Sequence, residues 1–279
     1  MSQGKYEDAM NNHKLSLSLF QNTSDESGQA KAYLGMGNVH KPQGKYEDST
    51  NNYQHALSLF QKTGDESGQA NAYHGMGNVH KSQGNSRAKA YHGMGDVHLN
   101  KGKYEDAINN YQHALSLFQK TGDESGQANA YLGIGEVHKS QGKYEDAMNN
   151  YQHALSLFQK TGDESGQANA YLGIGKVHKS QGKYEDAMNN YQHALSLFQK
   201  TGDESGQADA YLGMGEVHSF QGKYEDAMNN FQHALSLFQK TGDESGQAKA
   251  MLAIALIHIT CGNFQEAQEC SRKSLHLEK

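Results

Sequence analysis

Histidine is the side chain in this sequence that is best suited to metal binding or proton transfer. The 279 residues include 16 histidines, and seven of these form two evenly spaced series: His138, His178 and His218, and His113, His153, His193 and His233. A metal ion needs its ligand atoms about 2 Å away, whereas packed helices lie roughly 8–10 Å apart. Side chains that recur once per repeat do not converge, so we expect no metal site and no cofactor. We expect the first series to pack in place of an aromatic residue and the second to lie on an outer face.

No other group of residues predicts catalysis. An active site needs different polar side chains that converge on one point, but here each polar type is copied at fixed spacing. The sequence contains no Gly-x-Ser-x-Gly and no His-Glu-x-x-His motif, and its repeated glycines lie inside a predicted helix rather than in a phosphate-binding loop. Cys261 and Cys270 do not form a Cys-x-x-Cys pair. We predict that the protein is not an enzyme.

Composition excludes two classes of partner. The chain carries 31 acidic and 25 basic residues and a formal net charge of -6, so it lacks the basic balance that is typical of nucleic acid binding. Its longest apolar run, residues 251–257, is too short to span a bilayer, and its start has no apolar leader segment. We expect no nucleic acid partner, no membrane insertion and a cytoplasmic location.

An internal repeat organises the chain. The segment 126–165 recurs almost unchanged from 166 and from 206, and degenerate copies begin at 28, 68 and 246. In the copy from 126, apolar and small residues recur at helical spacing over 131–138, which predicts a helix that we name A. A second amphipathic series over 144–158 predicts helix B.

Turn residues separate the predicted helices. Gly142 suits the left-handed conformation that ends helix A, Gly162 does the same after helix B, and Asp163 caps the next helix A. Short turns force antiparallel pairs, and neither helix buries its apolar stripe alone, so successive pairs must stack. Ala147 and Ala154 are small enough to allow close approach. The predicted fold is all-α, an α-solenoid of antiparallel A/B helix pairs.

One copy aligns with the pattern of a known family at nine positions: Tyr131, Ile134, Gly135, His138, Gly142, Tyr144, Ala147, Tyr151 and Ala154. The pattern resembles the tetratricopeptide repeat, although His138 replaces the usual aromatic residue and the proline that commonly closes helix B is absent. The length of one copy, 126–165, is similar to that of the repeats in partner-of-inscuteable-type G-protein-signalling modulators and, more distantly, in kinesin light chains. The resemblance implies a superhelix that binds a peptide or an amphipathic helix along its concave face.

By that resemblance, four positions of each helix A line the concave groove. The predicted groove residues are Asn129, Leu132, Glu136, Lys139, Asn169, Leu172, Lys176, Lys179, Asp209, Leu212 and Glu216. Some of these positions vary between copies while the B helices stay nearly identical, as expected of a groove that reads different ligand residues; neutral drift at exposed positions is the alternative. We expect the three leucines to lie outside the A/B seams, and Gly133 and its copies to let a ligand backbone approach.

A single solenoid is predicted over residues 1–279, with an unpaired helix B at 5–22 and repeats from 28, 68, 88, 126, 166, 206 and 246. The repeat from 68 lacks its helix B, because the A-helix pattern of 72–77 returns at 90–95. In one arrangement, Gly84 and Asn85 form a turn and Ser86 caps a separate helix. In the other, residues 68–100 form one helix, since the offset between the two copies makes about five whole helical turns. We favour the turn, because a glycine ends the other A helices, and this brings the predicted helices to 14.

These features predict a non-catalytic protein-interaction scaffold. One alternative is a self-assembling structural array, which the missing helix B and the apolar last repeat support; a homodimer through the 68–100 seam or through the last repeat is its simplest form. The other is a regulatory domain of a larger signalling protein, which the start in mid-repeat supports. The sequence does not identify the partner.

Overall fold

The computed structural model describes residues 3–277, and within that range every regular element is helical. The α-helices are α1 (Gln3–Asn22), α2 (Glu26–His40), α3 (Tyr46–Thr63), α4 (Glu66–Asn100), α5 (Tyr104–Thr121), α6 (Glu124–Ser140), α7 (Tyr144–Thr161), α8 (Glu164–Ser180), α9 (Tyr184–Thr201), α10 (Glu204–Phe220), α11 (Tyr224–Thr241), α12 (Glu244–Thr260) and α13 (Phe264–Leu277). A 3₁₀ helix at Lys41–Gln43 follows α2. Consecutive helices pack on each other within α1–α3 and within α5–α13. The predicted all-α solenoid of A/B pairs is confirmed.

The described residues divide into two compact units within α4, after Ala88. The first unit contains the unpaired helix B, α1, and one complete pair, α2 and α3. The second unit contains α5 and four complete pairs, from α6 and α7 to α12 and α13. The single solenoid that the sequence predicts over 1–279 stays a prediction.

The predicted turn and cap residues are confirmed. Gly142 and Gly162 adopt the left-handed conformation, with φ of 73° and 71°. The Asp163 carboxylate accepts a hydrogen bond of 2.8 Å from the backbone N–H of Gly166, which satisfies one of the amides that a helix start leaves without a partner. These local signals explain why the helix bounds recur with the sequence period.

A buried aromatic ring of helix B explains most of the glycines inside the neighbouring A helices. The ring of Tyr151 lies between Gly135 of its own helix A and Gly173 of the next, and a Cβ added there would lie 2.8 or 2.7 Å from the ring. A Cβ at Gly133 would lie 2.6 Å from the ring of Tyr111. The ring of the preceding helix B therefore occupies the space that a side chain at Gly133 would need. Approach of a ligand backbone to Gly133 stays a prediction.

The segment 68–100, in which the A-helix pattern occurs twice in succession, lies within one continuous helix, so the predicted turn is wrong. α4 has 35 residues and passes through Gly84, Asn85 and Ser86 without a break. A glycine inside a helix costs only about 1 kcal/mol, which packing along the rest of a helix readily offsets. The fusion of two A helices leaves thirteen α-helices among residues 3–277 instead of the predicted 14.

Each half of α4 keeps one tyrosine contact and lacks the other. A Cβ added at Gly75 would lie 2.6 Å from Tyr53, and one added at Gly95 would lie 2.6 Å from Tyr111. At Gly77 and Gly93, among the described residues, an added Cβ would have no tertiary neighbour within 4 Å. These are the positions that the missing helix B would cover, so its absence leaves an uncovered patch on each half of α4.

The second histidine series lies on the outer face, as predicted. His153 is exposed and stacks on Tyr131 of its own helix A, with ring centres 5.3 Å apart. His138, of the first series, is half-buried, and its Nδ1 lies 3.3 Å from Nδ2 of Asn150. Within the described part of the chain, no three His, Cys, Asp or Glu side chains are grouped as metal ligands.

Candidate partner-binding site

Side chains of successive A helices line two neighbouring cavities in the second unit. The first cavity has a volume of about 310 Å³ and is bordered mainly by α4, α6, α8 and α10. The second has a volume of about 300 Å³ and is bordered mainly by α6, α8, α10 and α12. Lys176 and Asp209 line both cavities. We call the residues that line these two cavities the A-helix face.

All eleven predicted groove residues belong to the A-helix face. Those at the first cavity are Asn129, Leu132, Glu136, Asn169, Leu172, Lys176 and Asp209. Those at the second are Lys139, Lys176, Lys179, Asp209, Leu212 and Glu216. The structure brings them together on one surface, and their role in binding a partner stays a prediction.

Sequence reasoning missed several members of the A-helix face, among them His92, Asp96 and Leu99 of α4 and Lys249 of α12. These four occupy the same repeat positions as predicted residues or their neighbours in the copies from 126. A signal for them was therefore present, because the copies from 88 and 246 align with the others over helix A.

The three leucines do not lie outside the helix seams, so that expectation is wrong. Leu172 is 6% exposed and belongs to an apolar cluster with Tyr191 and Met214. Leu132 packs against the cluster around Tyr151, and Leu212 packs against the cluster around Phe231. These leucines border a cavity and fill the seam between neighbouring pairs, because an A helix contacts a B helix on either side.

In three of the four repeats that contain the buried tyrosine of helix B, a polar side chain of helix A accepts a hydrogen bond from its hydroxyl. The Tyr151 hydroxyl donates a hydrogen bond of 2.8 Å to Glu136, and the Tyr111 hydroxyl donates one of 2.7 Å to Asp96. The two pairs have the same separation along the chain. Glu136 also pairs with Lys139. The tyrosine thus reaches through the helix layer to the floor of the A-helix face.

The repeat that contains Tyr191 breaks this arrangement. Lys176 stands in relation to Tyr191 as Glu136 stands to Tyr151, and an ammonium group cannot accept a hydrogen bond. The Tyr191 side chain is fully buried, and its hydroxyl has no hydrogen-bond partner among the described residues. In the next repeat Phe231 replaces the tyrosine, and the glutamate at this position, Glu216, pairs with Lys179.

Burial and charge act in opposite directions on the carboxylates of the A-helix face. Burial raises the pKa of Glu136, but Lys139, Lys176 and the Tyr151 hydroxyl together outweigh it and hold the pKa below its usual range. Burial also raises the pKa of Asp209, and Lys176 and Lys249 do not outweigh it there. Glu136 is therefore held as a carboxylate, whereas the pKa of Asp209 lies above its usual range.

A third cavity, of about 720 Å³, adjoins the second and is more apolar. Its lining includes Tyr184, Phe220 and Leu256, and the rings of Tyr184 and Phe220 stack with centres 5.9 Å apart. Phe220 is 65% exposed and stands where the preceding copies have Ser140 and Ser180. The sequence signal was this serine-to-phenylalanine difference between copies.

Three solved structures share the fold. BtubC (BKLC) from P. vanneervenii is 17% identical, with a TM-score of 0.55 over 98% of this chain and 91% of that one. A Rap protein complexed with competence and sporulation factor is 16% identical, with a TM-score of 0.62 over 99% and 78%. A Podosopora anserina putative kinesin light chain with TPR-like repeats is 13% identical, with a TM-score of 0.54 over 69% and 95%. At these identities the likeness is one of fold alone.

No curated protein matches this chain in sequence. No helix in the described range is long and apolar enough to cross a membrane. The sequence model of the tetratricopeptide repeat family matches residues 28–88, 86–160, 126–200, 166–240 and 206–277. These matches extend over most of the chain, which therefore belongs to the tetratricopeptide repeat family.

Proposed function

We propose that this tetratricopeptide repeat chain is a non-catalytic protein-interaction scaffold, whose A-helix face binds an extended segment or an amphipathic helix of a partner protein. The observation that carries the proposal is where the repeats differ. The copies from 126 and 166 differ at a single position, Glu136 against Lys176, and both residues line the first cavity. The copies from 166 and 206 differ at six positions, five of them in helix A.

The chemistry of the A-helix face suits a peptide. Asn129 and Asn169 are exposed amides that can donate and accept hydrogen bonds with a ligand backbone, and Leu132 and Leu212 add partly buried apolar contacts. Since the two cavities share lining residues, one extended ligand can occupy both. The Rap protein of the same fold was solved in complex with competence and sporulation factor, which supports a ligand-binding role for this chain by analogy.

The proposal is tested by affinity capture and mass spectrometry with variants that change the A-helix face without touching the core. We expect Asn129→Arg combined with Asn169→Arg to lose the partner, because two large cations would stand at the exposed edge of the first cavity. The matched control is Gln152→Arg combined with Gln192→Arg, at exposed positions of the B helices, which should retain the partner. Capture of the same proteins by both double variants and the unchanged chain would refute the proposal.

Self-association is a second candidate function, and the two uncovered patches on α4 favour it. Gly77 and Gly93 lie where a helix B is missing, and Met94 beside Gly93 is 43% exposed. A second copy of the chain could cover such a patch. Light scattering of the purified chain at micromolar concentration would show a dimer or a larger species; a strictly monomeric chain would exclude this function.

A further inference from the structure

We propose that the second cavity binds a carboxylate side chain of the partner, with the Tyr191 hydroxyl and the Lys176 ammonium as its hydrogen-bond donors. The inference rests on the proposed function and deepens it by naming the chemistry of the partner segment: it is acidic. Among the repeats from 88 onward, this pair of donors occurs only here, because elsewhere helix A supplies an acceptor or helix B lacks the tyrosine.

The first support is the unpaired hydroxyl of Tyr191. The side chain is fully buried, yet it forms part of the cavity lining, and its hydroxyl has no partner among the described residues. A buried hydroxyl without a partner destabilises a protein, and such groups are rare enough in native structures to call for an explanation. Here the arrangement differs from the preceding copy by one residue, since Glu136 accepts the hydrogen bond of Tyr151 where Lys176 stands beside Tyr191.

The second support is the charge around the cavity. Its lining contains four lysines, Lys139, Lys176, Lys179 and Lys249, and two carboxylates, Asp209 and Glu216. Two of the lysines are already paired, Lys179 with Glu216 and Lys139 with Glu136. Lys176 forms no close ion pair with a described carboxylate, although its charge acts on Glu136 and Asp209 from a greater distance. The cavity therefore presents a buried O–H donor and an unpaired ammonium donor together.

A carboxylate can accept hydrogen bonds from both donors, the Tyr191 hydroxyl and the Lys176 ammonium. Its two oxygens accept hydrogen bonds from the hydroxyl and from the ammonium at once, and its charge offsets the excess of lysines. A backbone carbonyl would accept the hydrogen bonds but leave the charge unbalanced. The negative charge of Asp209 disfavours an anion in this cavity. The proposal therefore also predicts that removal of this charge strengthens binding of a carboxylate.

The test uses fluorescein-labelled decaglutamate with an amidated C-terminus, and labelled decaglutamine as its uncharged match, in fluorescence anisotropy at low salt. Two variants copy a neighbouring repeat and are therefore expected to fold, which circular dichroism checks. Lys176→Glu recreates the residue at position 136, and Tyr191→Phe recreates the residue at position 231. Lys183→Glu, at an exposed lysine outside both cavities, makes the same change of charge elsewhere.

We expect Lys176→Glu and Tyr191→Phe each to weaken decaglutamate binding about tenfold or more, since each removes a hydrogen bond to a charged group. Lys183→Glu should change binding less than about threefold, because exposed charges at a distance are screened. Asp209→Asn should tighten binding severalfold. Decaglutamine should not bind measurably.

Wild-type affinity in Tyr191→Phe, or an equal loss in Lys183→Glu and Lys176→Glu, would overturn the carboxylate site. Absence of decaglutamate binding to the unchanged chain would also overturn it. The two proposals fail separately. If a captured partner tolerates Lys176→Glu but is lost with Asn129→Arg and Asn169→Arg, the scaffold function is supported and the carboxylate site is not.

Discussion

Replacing Gly173 by alanine tests whether the A-helix glycines make room for the helix B tyrosine. The new Cβ would lie 2.7 Å from Cε1 and Cζ of Tyr151. The ring cannot swing away freely, because its other side faces Gly135 and its hydroxyl is bonded to Glu136. Overpacking of this kind costs about 1–3 kcal/mol, and alanine favours a helix over glycine by about 1 kcal/mol. We expect Gly173→Ala to lower the free energy of unfolding by about 0–2 kcal/mol.

Gly93→Ala is the matched control. Gly93 occupies the same repeat position in α4, but its preceding helix B is missing and an added Cβ would have no tertiary neighbour within 4 Å in the described structure. Only the gain in helix propensity remains, so this variant should be more stable than the unchanged chain by about 1 kcal/mol. The difference between the two variants, about 1–3 kcal/mol, then measures the clash with the ring alone.

Urea unfolding followed by far-ultraviolet circular dichroism gives the stability of each variant. Because stacked repeats need not unfold in a single step, hydrogen exchange of α7 and α8 amides should accompany it, and Gly173→Ala should accelerate exchange there. Equal stability of Gly173→Ala and Gly93→Ala would refute the packing role that we assign to Tyr151.

Four further predictions concern single features of the fold. Ala187→Leu, at a fully buried position, should cost about 1–3 kcal/mol, whereas Asn189→Leu on the exposed face should change the free energy of unfolding by less than about 0.5 kcal/mol; equal effects would mean that α9 is oriented differently. Leu172→Asp should cost about 3–5 kcal/mol, because it buries an unpaired charge, and a normal melting curve would place Leu172 outside the seam. Amides between Lys81 and Ala90 of α4 should exchange fastest among the helices of the chain; uniform protection there in a monomer would contradict the uncovered patches. Since the pKa of Glu136 is lowered, its contribution to stability is present above the ordinary glutamate pKa and lost as the pH falls through the lowered value; Glu136→Gln should flatten that part of the pH–stability curve.

The helix pairs, their caps and the lining of the A-helix face were predictable because each follows from local spacing. Asp163 and Gly162 act on the nearest backbone groups, so their roles need no tertiary information. Positions 129, 132, 136 and 139 lie on one helix face whatever the neighbours do. Once the repeat stacks, equivalent positions form one surface.

The seam was not predictable from its local residues. A Gln-Gly pair stands at 141–142 and at 83–84, yet it ends a helix only in the first case. There a B-helix segment follows, which can fold back and bury its apolar stripe. After residue 84 another A-helix segment follows, and continuity places Gly75 against Tyr53 and Gly95 against Tyr111. Packing of the two halves outweighs the modest helix cost of Gly84.

Contacts between helices were also not predictable from the sequence. Tyr191 and Lys176 lie on different helices, and their relation has meaning only when the antiparallel register of helices A and B is known. The burial of Leu172 depends on contacts with both neighbouring helix pairs, whereas a helical wheel represents a single helix. The relation between Tyr191 and Lys176 and the burial of Leu172 both follow from the way the structure places residues of neighbouring helices opposite each other.

The register also gives a physical reason to prefer selection over neutral drift on the A-helix face. A helix B side chain such as Tyr151 contacts two A helices, so its constancy between copies needs no functional explanation. Exposed B-helix residues have no such constraint, yet Gln152 and Asn149 are unchanged in the copies from 166 and 206. Drift at exposed positions would alter both faces. The differences lie instead mainly on helix A. The one difference in helix B is Phe231, which has no hydroxyl. The glutamate of that repeat, Glu216, pairs with Lys179 instead of accepting a hydrogen bond from a tyrosine.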